Sequence, residues 1–195
     1  MLNVLDWLRK RSPTGRNAAK IYGSIVTQAR NPAFYARYGV PDTPNGRYEM
    51  IVVHTALALH ALRASGLDQD GKIGRALVEQ FVTDMDDSLR QLAVGDMSVP
   101  KKVKRAAAGL RERTAEYAAA WQADDPQHQL AEAIAPHIFE DIDPDLARSG
   151  AARLARYINT CQGALEFSPE GALQGFADPD AVISQQATGS EVGAA

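Results

Sequence analysis

A chain of 195 residues suits one domain with tails, and an apolar share of 45% is enough to build a core and excludes a disordered chain. With 21 basic against 24 acidic residues the net charge is −3, so the whole surface is no generic nucleic-acid binder, although a local basic patch remains open. The single cysteine, Cys161, excludes an internal disulfide and a thiolate-rich metal site. The opening MLNVLDWLRKRS lacks the charged-then-apolar order of a secretory signal, and no run approaches the ~20 apolar residues of a membrane span. The chain therefore reads as soluble and peripheral to a larger structure.

The predicted elements are helical almost throughout. Residues 1–13 read as an N-terminal amphipathic segment, with Leu5 and Leu8 three apart; Trp7, Lys10 and Arg11 either contact a membrane surface or belong to a segment that packs on the body or frays. Ser12–Gly15 reads as a break. A helix is expected over Asn17–Ala29, with Ile21 and Ile25 four apart. Asn31–Pro32 reads as cap and first position of a short helix carrying Phe34, Tyr35 and Tyr38.

The next helix is capped by Asp42 or Asn45 and closed by Gly66. Met50, Ile51, Val52, Val53, Leu57, Leu59 and Leu62 surround its axis, so it is expected to be buried on all sides. The helix from Ile73 carries the stripe Leu77, Phe81, Met85, Leu89 and Leu92. The helix from Val99 carries Val103, Leu110, Tyr117 and Trp121. Asp124–Pro126 starts a helix that Pro136 strains, and Pro144–Leu165 forms the last one. The fold class is all-α, one multi-helix domain over residues 14–166 around a central buried helix (about 46–64). Residues 167–195, rich in Gly, Pro, Ala, Ser and Gln, read as a disordered tail.

Candidate sites follow from spacing. Arg47 and His54 are seven apart and share a helix face, either as a polar site at a cavity edge or as structural groups with internal partners. Asp84, at the edge of its apolar stripe, is the carboxylate expected to answer them. His60 lies about 120° from His54 on the helix, so the two cannot grip one metal. Gly66–Ile73 has the look of a calcium loop, but Gly66 and Leu77 stand where its first and last ligands belong. Lys101, Lys104, Arg105 and Arg111 form a basic face opposite Val103 and Leu110. It is either solvated surface or a contact for RNA, anionic lipid or an acidic partner. No catalytic triad order, nucleophile elbow, phosphate-cradling loop or dinucleotide fingerprint occurs, so the residues themselves propose no reaction.

Ile21–Arg30 (IYGSIVTQAR), Pro32–Tyr35, Gly39–Thr43, Gly46–Met50 with His54, then Phe81, Asp84–Asp86 and Val94–Lys104 together resemble the ubiquinol–cytochrome c chaperone family. The likeness runs from about Lys20 to Trp121, departing at Tyr48, where phenylalanine is usual, and at Pro100, where a glycine is. It implies an all-helical assembly factor, not an enzyme, for ubiquinol–cytochrome c reductase. Its expected client is newly made cytochrome b at the inner face of the inner membrane. A ribosome, a partner assembly factor and the anionic membrane surface are further expected contacts, with no DNA and no cofactor. Arg47, His54, Asp84, Tyr35 and Asp42 are the set expected to bind client or partner, or to form a buried polar site. An apolar groove beside the Arg47 helix would shield the client. The competing class is a helical protein that binds haem, quinone or lipid, or an enzyme built on such a pocket.

Overall fold

A serine–proline pair starts the first helix. The computed structural model describes residues 12–91, 98–168 and 172–191. In it Ser12 caps α1 (Pro13–Ala29), its hydroxyl accepting from the Gly15 amide at 2.9 Å. Pro13 presets φ and lacks the amide that the first turn would leave unpaired. The Ser12–Gly15 stretch is thus a helix start, not a break. The N-terminal segment, with Trp7, Lys10 and Arg11, lies outside the described residues. Asn31 caps α2 (Pro32–Ala36) as its sequence predicts, accepting from Ala33 at 3.0 Å.

Thr43, not Asp42 or Asn45, caps α3 (Pro44–Ser65), its Oγ1 accepting from the Gly46 amide at 3.1 Å. A side chain at Gly46 would strike the Pro41 carbonyl, so the turn closes against the helix only with glycine there. Gly66 ends α3 at φ 68°, a left-handed cap. Every residue from Met50 to Leu59 is buried. The helix is the axis of the fold, as its all-round apolar pattern requires. Around it pack α1, α5 (Val99–Ala120), α6 (Pro126–Ile138) and α7 (Pro144–Ala164). The ring is completed by α4 (Lys72–Gln91), which lies against α1 and α5. Leu57, Leu62, Leu77, Phe81 and Leu110 are among the largest fully buried side chains, each worth ~1.5–3 kcal/mol of burial.

Asp68 starts α4 by using both carboxylate oxygens, on the Ile73 amide at 2.8 Å and the Gly74 amide at 2.7 Å. Asp125 caps α6 through one oxygen, which accepts from the His128 amide at 3.1 Å, and Asp143 caps α7 through Oδ1, which accepts from the Asp145 and Leu146 amides.

Part of the expected tail is structured. After α7 come β1 (Glu166–Phe167) and β2 (Leu173–Gln174), an antiparallel pair, then α8 (Pro179–Glu191). Leu173 and Val182 are buried in the common core, and Phe176 packs on it. The Tyr38 hydroxyl donates to the Pro179 carbonyl at 2.8 Å, and Arg37 pairs with Asp180. The correction has a simple cause. The apolar residues of this stretch are few and follow neither helix nor strand period, yet Leu173, Phe176, Val182 and Ile183 land on the body.

Candidate functional site

A half-open cleft of about 1030 Å³ lies where the start of α3 meets the end of α4 and the start of α5. Its apolar lining includes Tyr48, Ile51, Met85, Leu89 and Ala106. Four cations surround that lining: Arg30 from the cap of α1, Arg47 from the first turns of α3, and Lys102 and Arg105 from α5. One carboxylate, Asp42, also lines it. Asp42 accepts from Arg47 Nε at 2.6 Å, which holds its carboxyl below the usual carboxylate range. The Tyr48 hydroxyl donates to the Ala106 carbonyl at 3.1 Å and ties α3 to α5 beneath the cleft.

The predicted site residues are divided by this geometry. Arg47, Asp42 and Arg105 meet at the cleft. Tyr35 donates to the Ala29 carbonyl at 3.0 Å; burial pushes its hydroxyl up, and the Arg47 and Asp42 charges act on it. His54 is elsewhere. It is fully buried, and its Nδ1 donates to the Met50 carbonyl at 2.7 Å. Nε2 must then accept, and it does so from the Tyr157 hydroxyl at 3.0 Å. Gln28 donates in turn to the Tyr157 oxygen at 2.9 Å and to the Ala177 carbonyl at 3.0 Å. Phe34, Tyr157 and Phe176 enclose the imidazole at ring distances of 5.5, 5.7 and 5.3 Å. Burial pulls its pKa down to about 4, against the opposing bond to Met50. A neutral, doubly bonded imidazole offers nothing to a ligand; it locks α3, α7 and the C-terminal segment together.

Asp84 does not answer Arg47 or His54 either. It accepts from the Tyr22 hydroxyl at 2.8 Å, joining α4 to α1. Side chains seven apart share a helix face, but here Arg47 ends in solvent while His54 lies in the core, so periodicity alone misplaces the pair. The expected basic face also splits. Arg105 lines the cleft together with Lys102, three residues earlier, whereas Lys101, Lys104 and Arg111 are exposed outside it.

Sequence reasoning missed Glu49. Its side chain is 3% exposed, and it receives two bonds from Arg113, each 3.1 Å. Burial pushes its carboxyl up and the guanidinium pulls it back. The signal was present: Glu49 is the sole acid in the apolar α3, and a buried acid requires a basic partner. Arg30 was also missed; Lys102 belongs to the basic run Lys101–Arg105 but not to the face that the periodicity selects. Among the described residues no group of His, Cys, Asp and Glu could hold a metal ion.

An all-helical body bearing an apolar cleft with a cationic rim has the build of a binding protein. The family model described as ubiquinol–cytochrome c chaperone matches residues 36–173, which span α3 to α7 and all of the cleft except Arg30. Among solved structures, the crystal structure of the Cbp3 homolog from Brucella abortus is similar at 33% identity. It covers 91% of this chain and 98% of that chain, with a TM-score of 0.68. No curated protein matches the chain. The chain belongs to the ubiquinol–cytochrome c chaperone family. It is a non-enzymatic assembly factor, and its class serves ubiquinol–cytochrome c reductase.

Proposed function

We propose that the chain binds newly made cytochrome b through the cleft between α3, α4 and α5 and holds it until assembly proceeds. The observation that carries this is the cleft's composition. Tyr48, Ile51, Met85 and Leu89 offer an apolar surface to a membrane-protein segment not yet packed on its partners. The polar surroundings keep that surface in solution. The family supports the reading, since its chaperones serve the enzyme of which cytochrome b is a subunit.

The place of action in this reading is the cytoplasmic face of the inner membrane. The exposed Lys101, Lys104 and Arg111 face away from the cleft and are free to meet an anionic surface while a client is held. Among the described residues no helix is long and apolar enough to cross a membrane. The experiment is photo-crosslinking in cells from positions 51 and 89, with a position on the exposed face of α7 as control. Cytochrome b captured from the cleft positions and absent from the control is the expected result. Capture equal at all positions would refute the cleft as the client site.

A further inference from the structure

Charge is distributed unevenly on this molecule. The chain carries net charge −3, yet the cleft lining holds four cations and one carboxylate. That carboxylate is taken by Arg47. Arg30, Lys102 and Arg105 form no salt bridge among the described residues. Two helices begin at the cleft, α3 and α5, and neither carries an acid in its first turn. The early turns of α5 instead carry Lys101, Lys102, Lys104 and Arg105 at the positive end of the helix dipole. Such placement opposes helix stability and is expected where function demands an anion partner.

We infer that the cleft selects an acidic amphipathic polypeptide segment. Its carboxylates meet Arg30, Lys102 and Arg105, and its apolar side chains rest on Ile51, Met85 and Leu89. This rests on the reading of the cleft as the client site and adds the chemistry that recognises the client. A polypeptide fits better than a small ligand or a lipid for two reasons. The cleft is half-open and at the upper end of the ~300–1,000 Å³ usual for small-molecule pockets. Its wall also presents the side chains of Ser88 and Gln91, which have no partner among the described residues. These can bond the amide and carbonyl groups that recur along a peptide backbone beside its apolar side chains, whereas a lipid confines its polar groups to the headgroup and ester end.

The test uses the full chain and fluorescence anisotropy. The probe is a labelled synthetic amphipathic peptide with glutamate at its polar positions and leucine or phenylalanine at its apolar ones. Its glutamine analogue and phosphatidylglycerol vesicles are the comparisons. The glutamate peptide should bind about tenfold more tightly than the glutamine analogue at about 50 mM salt, with the advantage shrinking at about 200 mM. The double variant Lys102→Gln/Arg105→Gln should lose about tenfold and the double variant Lys101→Gln/Arg111→Gln less than about twofold. Arg30→Gln, on a different helix, gives an independent check should the α5 variant melt early. Equal binding of the two peptides overturns the inference, as does undiminished binding by the rim variants. Vesicles that displace the peptide and bind in its place overturn it in favour of a lipid. Crosslinking to cytochrome b with no preference for glutamate would leave the client site standing and remove the charge selection. A glutamate preference without that crosslink would do the reverse.

Discussion

Lowering the pH from about 7.5 to about 5 should cost the fold about 2 kcal/mol through one side chain, His54. The ordinary imidazole value is 6.5, and burial pulls His54 down to about 4. Between these values the unfolded chain takes up a proton that the folded chain refuses. Stability from this group is therefore full above pH 6.5 and is lost as pH falls toward 4. The difference in pKa gives about 2 kcal/mol at about pH 5, and about 3 kcal/mol once both values are passed. The structural reason is that both ring nitrogens are committed, one donating to Met50 and one accepting from Tyr157. Protonating Nε2 would set two hydrogens against each other. Glu49 works in the opposite sense, since its raised value makes acid relieve a buried charge. The assay is therefore a difference: urea unfolding at both pH values for the parent chain and for His54→Gln. The parent should lose about 2 kcal/mol more than the variant over the interval. Identical losses would refute the reasoning, as would a His54 ring resonance titrating near 6.5 in the folded protein.

The Glu49–Arg113 pair gives a second expectation. Arg113→Met leaves a carboxylate buried without its partner and should cost about 3–5 kcal/mol by urea unfolding, with part recovered in Glu49→Gln/Arg113→Met. Leu173→Ala, in the segment that composition alone assigns to a tail, should lower stability by about 2–3 kcal/mol; no change in the unfolding midpoint would show that the segment does not pack. Gly46→Ala meets the Pro41 carbonyl and should reduce both the melting midpoint and client capture, because the turn lining the cleft must shift. Arg47→Ala removes an exposed side chain, so the melting midpoint should hold while client capture falls. An early melt in that variant would make Arg47 scaffold.

The helices and the central position of α3 could be read from apolar periodicity, because burial on all sides leaves a pattern in one segment alone. Caps were harder. Thr43 wins over Asp42 because Asp42 is drawn to Arg47, a contest the local sequence does not display. The site was legible only in part. Arg47, Asp42 and Arg105 belong to it, but its floor draws on helices whose residues Ile51, Met85 and Leu89 each read as ordinary core. A cleft is a property of how three elements meet, and no single stripe announces it. That His54 and Asp84 lie apart from the cleft was hidden for the same reason: their partners, Tyr157 and Tyr22, lie 103 and 62 positions away in the chain.

The C-terminal strap carries a consequence for how this protein is made. Ala177 meets Gln28 across 149 positions, and Pro179 meets Tyr38 across 141. The Gln28 bond to Ala177, and the Phe176 ring against His54, stay unmade until residues 176–179 have been synthesised. Contacts of such span form late and slow the final step of folding. A chain ending before residue 176 would hold most of its helices but would lack the clasp over its axis. The clasp is thus a late-formed part of the fold: the helical body is fully secured only once residues 176–179 have joined it.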